Sequence, residues 1–98
     1  RISDARISGT AFGTVVVHVT PESAVGGPLG IVETGDLIEL DVAQRRLDLC
    51  LPAEEIKRRL ASSQVRAKRS PRGYSRLYQE HVLQADQGCD FDFLRAEP

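Results

Sequence analysis

A mixed α/β fold of single-domain size is what this sequence predicts, and three observations predict it. TVVVHV (14–19) is a β-branched run of strand length. Between Leu29 and Leu51 apolar residues recur at every second position. Two later stretches, PAEEIKRRLA and the segment from Tyr74 to Ala85, carry their apolar residues at helical spacing.

The chain has 98 residues, which make one small domain or part of a larger one. With 41% hydrophobic and 28% charged residues it has the composition of a soluble globular protein. No apolar run approaches the roughly 20 residues that a membrane span needs. Arg1 stands where an initiator Met would be, there is no Met, and the first residues lack the layout of a signal peptide. These features point to a fragment or a chain trimmed at its start. Cys50 and Cys89 are too few for a disulfide framework and sit in no metal-ligand spacing, which suits reduced thiols in a cytoplasm.

In order along the chain, TVVVHV reads as a strand buried on both faces, with His18 its one titratable group. TPESAVGGP follows, where Thr20 can cap, Pro21 suits a first helical position and Gly26-Gly27-Pro28 stops one or two helical turns. A strand from Leu29 opens an antiparallel meander of three. Its runs place Ile38, Leu40 and Val42 on one face and Glu39 and Asp41 on the other, then Leu47, Leu49 and Leu51, with turns at Thr34-Gly35-Asp36 and Gln44-Arg45-Arg46.

Pro52 starts a helix in which Ile56 and Leu60 share a face and Glu54–Arg58 and Glu55–Arg59 pair at i,i+4. SSQVRAKRSPRG reads as a loop. Tyr74, Leu77, Tyr78, His81, Val82 and Ala85 form one stripe of a second helix, which Gly88 is placed to end. In DFDFL, Phe91 and Phe93 alternate with Asp90 and Asp92, an arrangement for docking the aromatics on a partner surface.

Chemistry has one candidate location, the opening loop. Ser8 is followed by Gly9, which permits close approach of a ligand to the backbone, and Thr10 adds a second hydroxyl. Ser-Gly-Thr is also an ordinary turn sequence, and a serine needs a neighbouring base or metal to become reactive. Lys57 to Arg76 is a basic stretch, yet no aromatic interleaves its loop and the net charge is -1, which disfavours a nucleic-acid partner.

SDARISGTAFGTVVVHVTPESAVGGPLGIVETGDLIELDV, followed by RRLDL, AEEIKRR and RGYSRLYQEHVLQADQGCDFDFL, resembles the C-terminal part of the dihydroxy-acid and sugar-acid dehydratase family. The resemblance implies dehydration of a 2,3-dihydroxy acid to a 2-keto acid. It also implies an iron–sulfur cluster and Mg2+, whose ligands lie in an N-terminal dehydratase domain, so that no metal ligand falls in this chain. The serine of the family's D-[GA]-R-x-S-G motif falls on Ser8, which is thereby the expected catalytic base at substrate C2. Thr10, where the chain departs from the commoner continuation, becomes a substrate contact. The Ser-Gly-Thr form and the HVLQAD-x-GCDFDFL ending look more like the branch acting on sugar acids such as arabinonate.

The implied fold is a swivelling β/β/α domain around a closed, barrel-like β-sheet, of which residues 1–98 cover about the second half. The implied partners are the N-terminal domain and the acid substrate. Open strand edges add the expectation of a homo-oligomer, and the location of the cluster and Mg2+ sites in the N-terminal domain implies an isolated chain without activity. A non-catalytic, stand-alone binding or assembly module of the same fold is the alternative.

Overall fold

Local sequence accounts for most of the regular elements in the computed structural model, which describes residues 1–9, 11–63 and 68–95. The period-two run forms a hairpin of β1 (Ile38–Asp41) and β2 (Arg46–Leu49). Its antiparallel register sets Ile38 opposite Leu49 and Leu40 opposite Leu47, so four aliphatic side chains share one face. On the other face Glu39 lies opposite Asp48, a like-charge pair, and Arg46 offsets it with an ion pair to Asp48 at 2.9 Å. The connecting turn is closed by Arg45 N–H donating to Val42 O at 3.1 Å, with Arg45 in the left-handed region at φ 55°.

Helix α1 (Ala53–Ser62) begins after Pro52, carries Glu54 and Glu55 in its first turn and Arg59 in its last, and packs on the turn at Pro28–Ile31. Arg59 anchors that packing. Its guanidinium donates to both oxygens of Asp36, at 2.6 and 3.3 Å, to Glu55 at 3.0 Å and to Ile31 O at 3.3 Å. The side chains of Arg59 and Asp36 are only 13% and 10% exposed. Arg58 also pairs with Glu55, at 2.6 Å and i,i+3, rather than with the Glu54 expected from spacing.

Three expected elements take another form. The strand expected from Leu29 is a 3-10 turn over Pro28–Ile31, because Pro28 has no N–H to give a ladder and presets a helical φ. The meander is accordingly a hairpin. TVVVHV contributes one parallel bridge, Val16 with Ile2, since His18 adopts φ 56° and breaks the extended run; Val15 to Val17 are half-buried and His18 is exposed. Helix α2 (Gly73–His81) stops short of Ala85. Val82 there bridges Phe91, and Leu83 N–H donates to Asp90 O at 2.8 Å, so pairing with the tail wins over another helical turn. Gly88 caps the short turn Ala85–Gln87 instead. Phe91 docks within the chain, edge-on to Tyr74 and Tyr78 and stacked on Phe93 at 5.6 Å.

Among the described residues the sheet is two-stranded and open, not a closed barrel. The apolar face of the hairpin meets Ile2, Val19, Pro21, Pro28, Leu29 and Val32 across a cleft of about 160 Å³. Ile31, 7% exposed, is the one buried apolar side chain among the described residues. The accessible surface is 8028 Å² and the radius of gyration 15.4 Å. A compact monomer of this length would have about 5,500 Å² and about 13 Å. Much of the apolar surface thus stays uncovered, including Phe12, Leu37 and Val42. None of the described helices is long and apolar enough to cross a membrane.

Candidate active site

Ser8 lies in a loop whose two ends are tied together. Residues 1–5 run parallel to 14–19, with Ser3 N–H donating to Val16 O at 2.9 Å, Val16 N–H to Arg1 O at 2.9 Å and Val19 N–H to Ser3 O at 3.2 Å. His18 N–H reaches Ala5 O at 3.3 Å, and the main-chain nitrogen of Arg1 donates to Thr14 O at 2.8 Å. The chain from Arg6 to Gly13 therefore leaves one edge of this ladder and returns to the other. Ser8 is exposed on it. Gly9 borders open space, with nothing within 4 Å of where a Cβ would stand, so a ligand can approach this backbone. Gly13, at φ 85°, is the residue that turns the loop back. Thr10 lies outside the described residues.

The base of the loop is fixed by a side chain that spacing alone did not single out. Ser23 donates its hydroxyl, at 2.5 Å, and its backbone N–H, at 2.8 Å, to the same oxygen of Asp4. These two donors, the hydroxyl foremost, hold the Asp4 carboxyl below its usual range. The adjacent Glu22 N–H donates to Gln84 Oε1 at 2.7 Å, across 62 positions of sequence. Both bonds land on the start of the 3-10 turn Ser23–Val25, which would otherwise leave those N–H groups unpaired. Gly27 locks the far side of that turn. It is buried, its N–H donates to Glu22 O at 2.9 Å, and a Cβ there would stand 1.8 Å from Pro21 O.

Other residues considered from sequence lie elsewhere. His81 pairs with Asp92 at 3.0 Å and meets the Phe93 ring edge-on. Much of the basic stretch is engaged by carboxylates: Arg58 and Arg59 as above, and Arg69 and Arg76 by Glu80 at 2.6 and 2.8 Å. Arg66 falls outside the described residues. Cys50 and Cys89 are exposed free thiols. Among the described residues no three His, Cys, Asp or Glu side chains are grouped so as to hold a metal ion.

Residues 1–89 match the model of the dihydroxy-acid/6-phosphogluconate dehydratase C-terminal family. The chain belongs to this family. This dehydratase C-terminal region is 58% identical over 97% of its length to an L-arabinonate dehydratase of Rhizobium leguminosarum bv. trifolii, covering 16% of that protein. It is 53% identical over 98% of its length to a 6-deoxy-6-sulfo-D-gluconate dehydratase of Pseudomonas putida, covering 17% of it. Against a dihydroxy-acid dehydratase of Pyrococcus abyssi the identity is 41% over 92% of the chain and 16% of the relative. The chain thus spans about one sixth of the length of these curated relatives.

Asp4 and Gln84 were both inside sequence stretches that carry the resemblance, Asp4 opening the serine motif and Gln84 within HVLQAD. Nothing in either motif names its partner, because the two partners lie 19 and 62 positions away.

Proposed function

We propose that this chain is the C-terminal part of a hydro-lyase that dehydrates a 2,3-dihydroxy acid of the sugar-acid class to a 2-keto acid, with Ser8 as the base at C2. The observation that carries the reading is Ser8 itself: it occupies the serine position of the family motif and is exposed on a loop anchored at both ends. Higher identity to the arabinonate and sulfogluconate enzymes than to the dihydroxy-acid enzyme supports a sugar acid such as L-arabinonate as substrate.

In this reading the deprotonated Ser8 Oγ takes the C2 proton and the C2–H electron pair forms the C2–C3 double bond. The C3 hydroxyl departs as hydroxide and takes up the proton that Ser8 removed, leaving as water, and the enol loses the proton of its C2 hydroxyl as it gains one at C3, giving the 2-keto acid. No oxidant or reductant is consumed. Thr10 contacts a substrate hydroxyl, a polar contact of the kind that discriminates strongly between related substrates.

The iron–sulfur cluster and Mg2+ belong, in this proposal, to an N-terminal domain of the longer polypeptide. That domain and further strands cover the exposed Leu37, Val42 and Phe12 and complete a swivelling β/β/α barrel. The whole enzyme is a cytoplasmic homo-oligomer, and the isolated chain is inactive.

The test is Ser8→Ala in the full-length enzyme with L-arabinonate. Turnover should fall by about 10²–10⁴-fold, the usual loss on removing a general base. Exchange of the C2 hydrogen with solvent deuterium should fall with it. Near-normal turnover with normal exchange would leave Ser8 a turn residue and end the assignment.

A further inference from the structure

The serine loop is held at its start by a carboxylate that makes no contact with substrate in the reading above. Asp4 stands four residues before Ser8, between Ser3 and Ala5, which make the last rungs of the ladder that pins residues 1–5 to 14–19. Its side chain turns away to the Ser23–Val25 turn and takes both donors of Ser23. That turn is a rigid post. Gln84 holds Glu22 from one side, and Gly27 packs with no space for a Cβ on the other. A charge-assisted bond to a fixed post is stronger and more directional than a neutral one.

We propose that Asp4 is a positioning residue for Ser8: by locking onto Ser23 it fixes the direction in which the loop leaves the ladder, and so where the serine hydroxyl stands. The proposal rests on Ser8 being the base. Four residues of chain reach up to about 13 Å, so a rotation at Asp4 is carried along the loop as a displacement of Ser8. A misplacement of about 1 Å costs about 10²-fold in rate.

The residues concerned do different things to the lock. Asp4→Asn keeps the shape and one oxygen to accept from Ser23 but loses the charge that strengthens both bonds. Ser23→Ala removes the hydroxyl and keeps the backbone N–H. Ser23→Thr restores a hydroxyl. Gln84→Met removes the acceptor for Glu22 N–H and loosens the post itself.

The experiment uses the full-length enzyme with L-arabinonate and a second readout, tryptic cleavage after the exposed Arg6 within the loop. Asp4→Asn should lower kcat by about 10–100-fold with KM within about threefold, and speed cleavage at Arg6. Ser23→Ala and Gln84→Met should each show a smaller loss of the same kind, and Ser23→Thr should recover most of what Ser23→Ala loses. In a Ser8→Ala background Asp4→Asn should cost no further turnover, because its effect passes through the serine.

The proposal is overturned if Asp4→Asn leaves kcat and cleavage unchanged while Ser8→Ala is inactive. It is equally overturned if the two losses multiply in the double variant. Should Ser8→Ala keep its turnover, the base assignment falls instead, and unchanged cleavage at Arg6 in Asp4→Asn would then also remove Asp4 from its role.

Discussion

The stretch from Pro28 to Ser63 and the serine loop with its supporting turn are held by different means. In the former, neighbours in sequence do most of the work: a hairpin closed by a short turn, a helix that follows after three residues, and Arg59 joining helix to turn across 23 positions. In the latter, a ladder of few rungs is braced by three polar contacts from Asp4 and Gln84 and by one glycine with no room around it. Many weak local preferences make the first region tolerant of single changes. A few long-range ties make the second precise and brittle.

The sharpest way to break that contrast is Gly27→Ala in the full-length protein. The new methyl would meet the carbonyl oxygen and carbon of Pro21, main-chain atoms that cannot swing aside. We expect a loss of about 3 kcal/mol or more, seen as a lowered thermal transition together with faster cleavage in the serine loop. A variant as stable as the parent would mean that the turn has slack.

Arg59→Met probes the sturdier region and should do less damage. Asp36 is held below its usual range by Arg59, and Glu55 is lowered to about 2 by Arg58 and then Arg59. Carboxyls lowered in the folded state stabilise it above their ordinary values of about 4 and lose that contribution as pH falls toward 2. The Tm difference between parent and Arg59→Met should therefore be widest above about pH 5 and narrow on acidification. A difference that does not change between pH 7 and pH 3 would show that Arg59 contributes through packing alone.

The smallest expected effect has the opposite sign. Arg45 holds a left-handed conformation that costs a side-chain-bearing residue about 1 kcal/mol, so Arg45→Gly should stabilise the hairpin turn by no more than about that amount. Slower amide exchange at Leu40 and Leu47 would report it, and faster exchange would show that the flexibility of glycine in the unfolded chain outweighs the relief.

What could be read from sequence follows the same division. The alternation of Ile38 and Leu40 with Glu39 and Asp41, and of Leu47 with Leu49, gave the paired face of the hairpin, because a period of two is a local property. Pro52 and the spacing of Glu55 and Arg59 gave α1 and one of its ion pairs. The expected strand at Leu29 failed because Pro28 sets the local geometry against the apolar pattern that follows it. TVVVHV failed at His18, and α2 ended early, before Val82, because the tail at Phe91 competes for its backbone. At the site, Ser8 was legible as a motif position, while the partners of Asp4 and Gln84 were not, since a hydrogen bond across 19 or 62 residues leaves no periodic trace.

The tie between Glu22 and Gln84 also imposes an order of events on synthesis. A ribosome releases the serine loop long before it releases Gln84, and until that residue emerges the post on which Asp4 locks is braced from one side only. The hairpin and α1 can assemble as soon as they leave the exit tunnel, so the locally coded half matures first. The loop that carries Ser8 gains its full support only once Gln84 has been made, so the serine loop is fixed after the hairpin and α1.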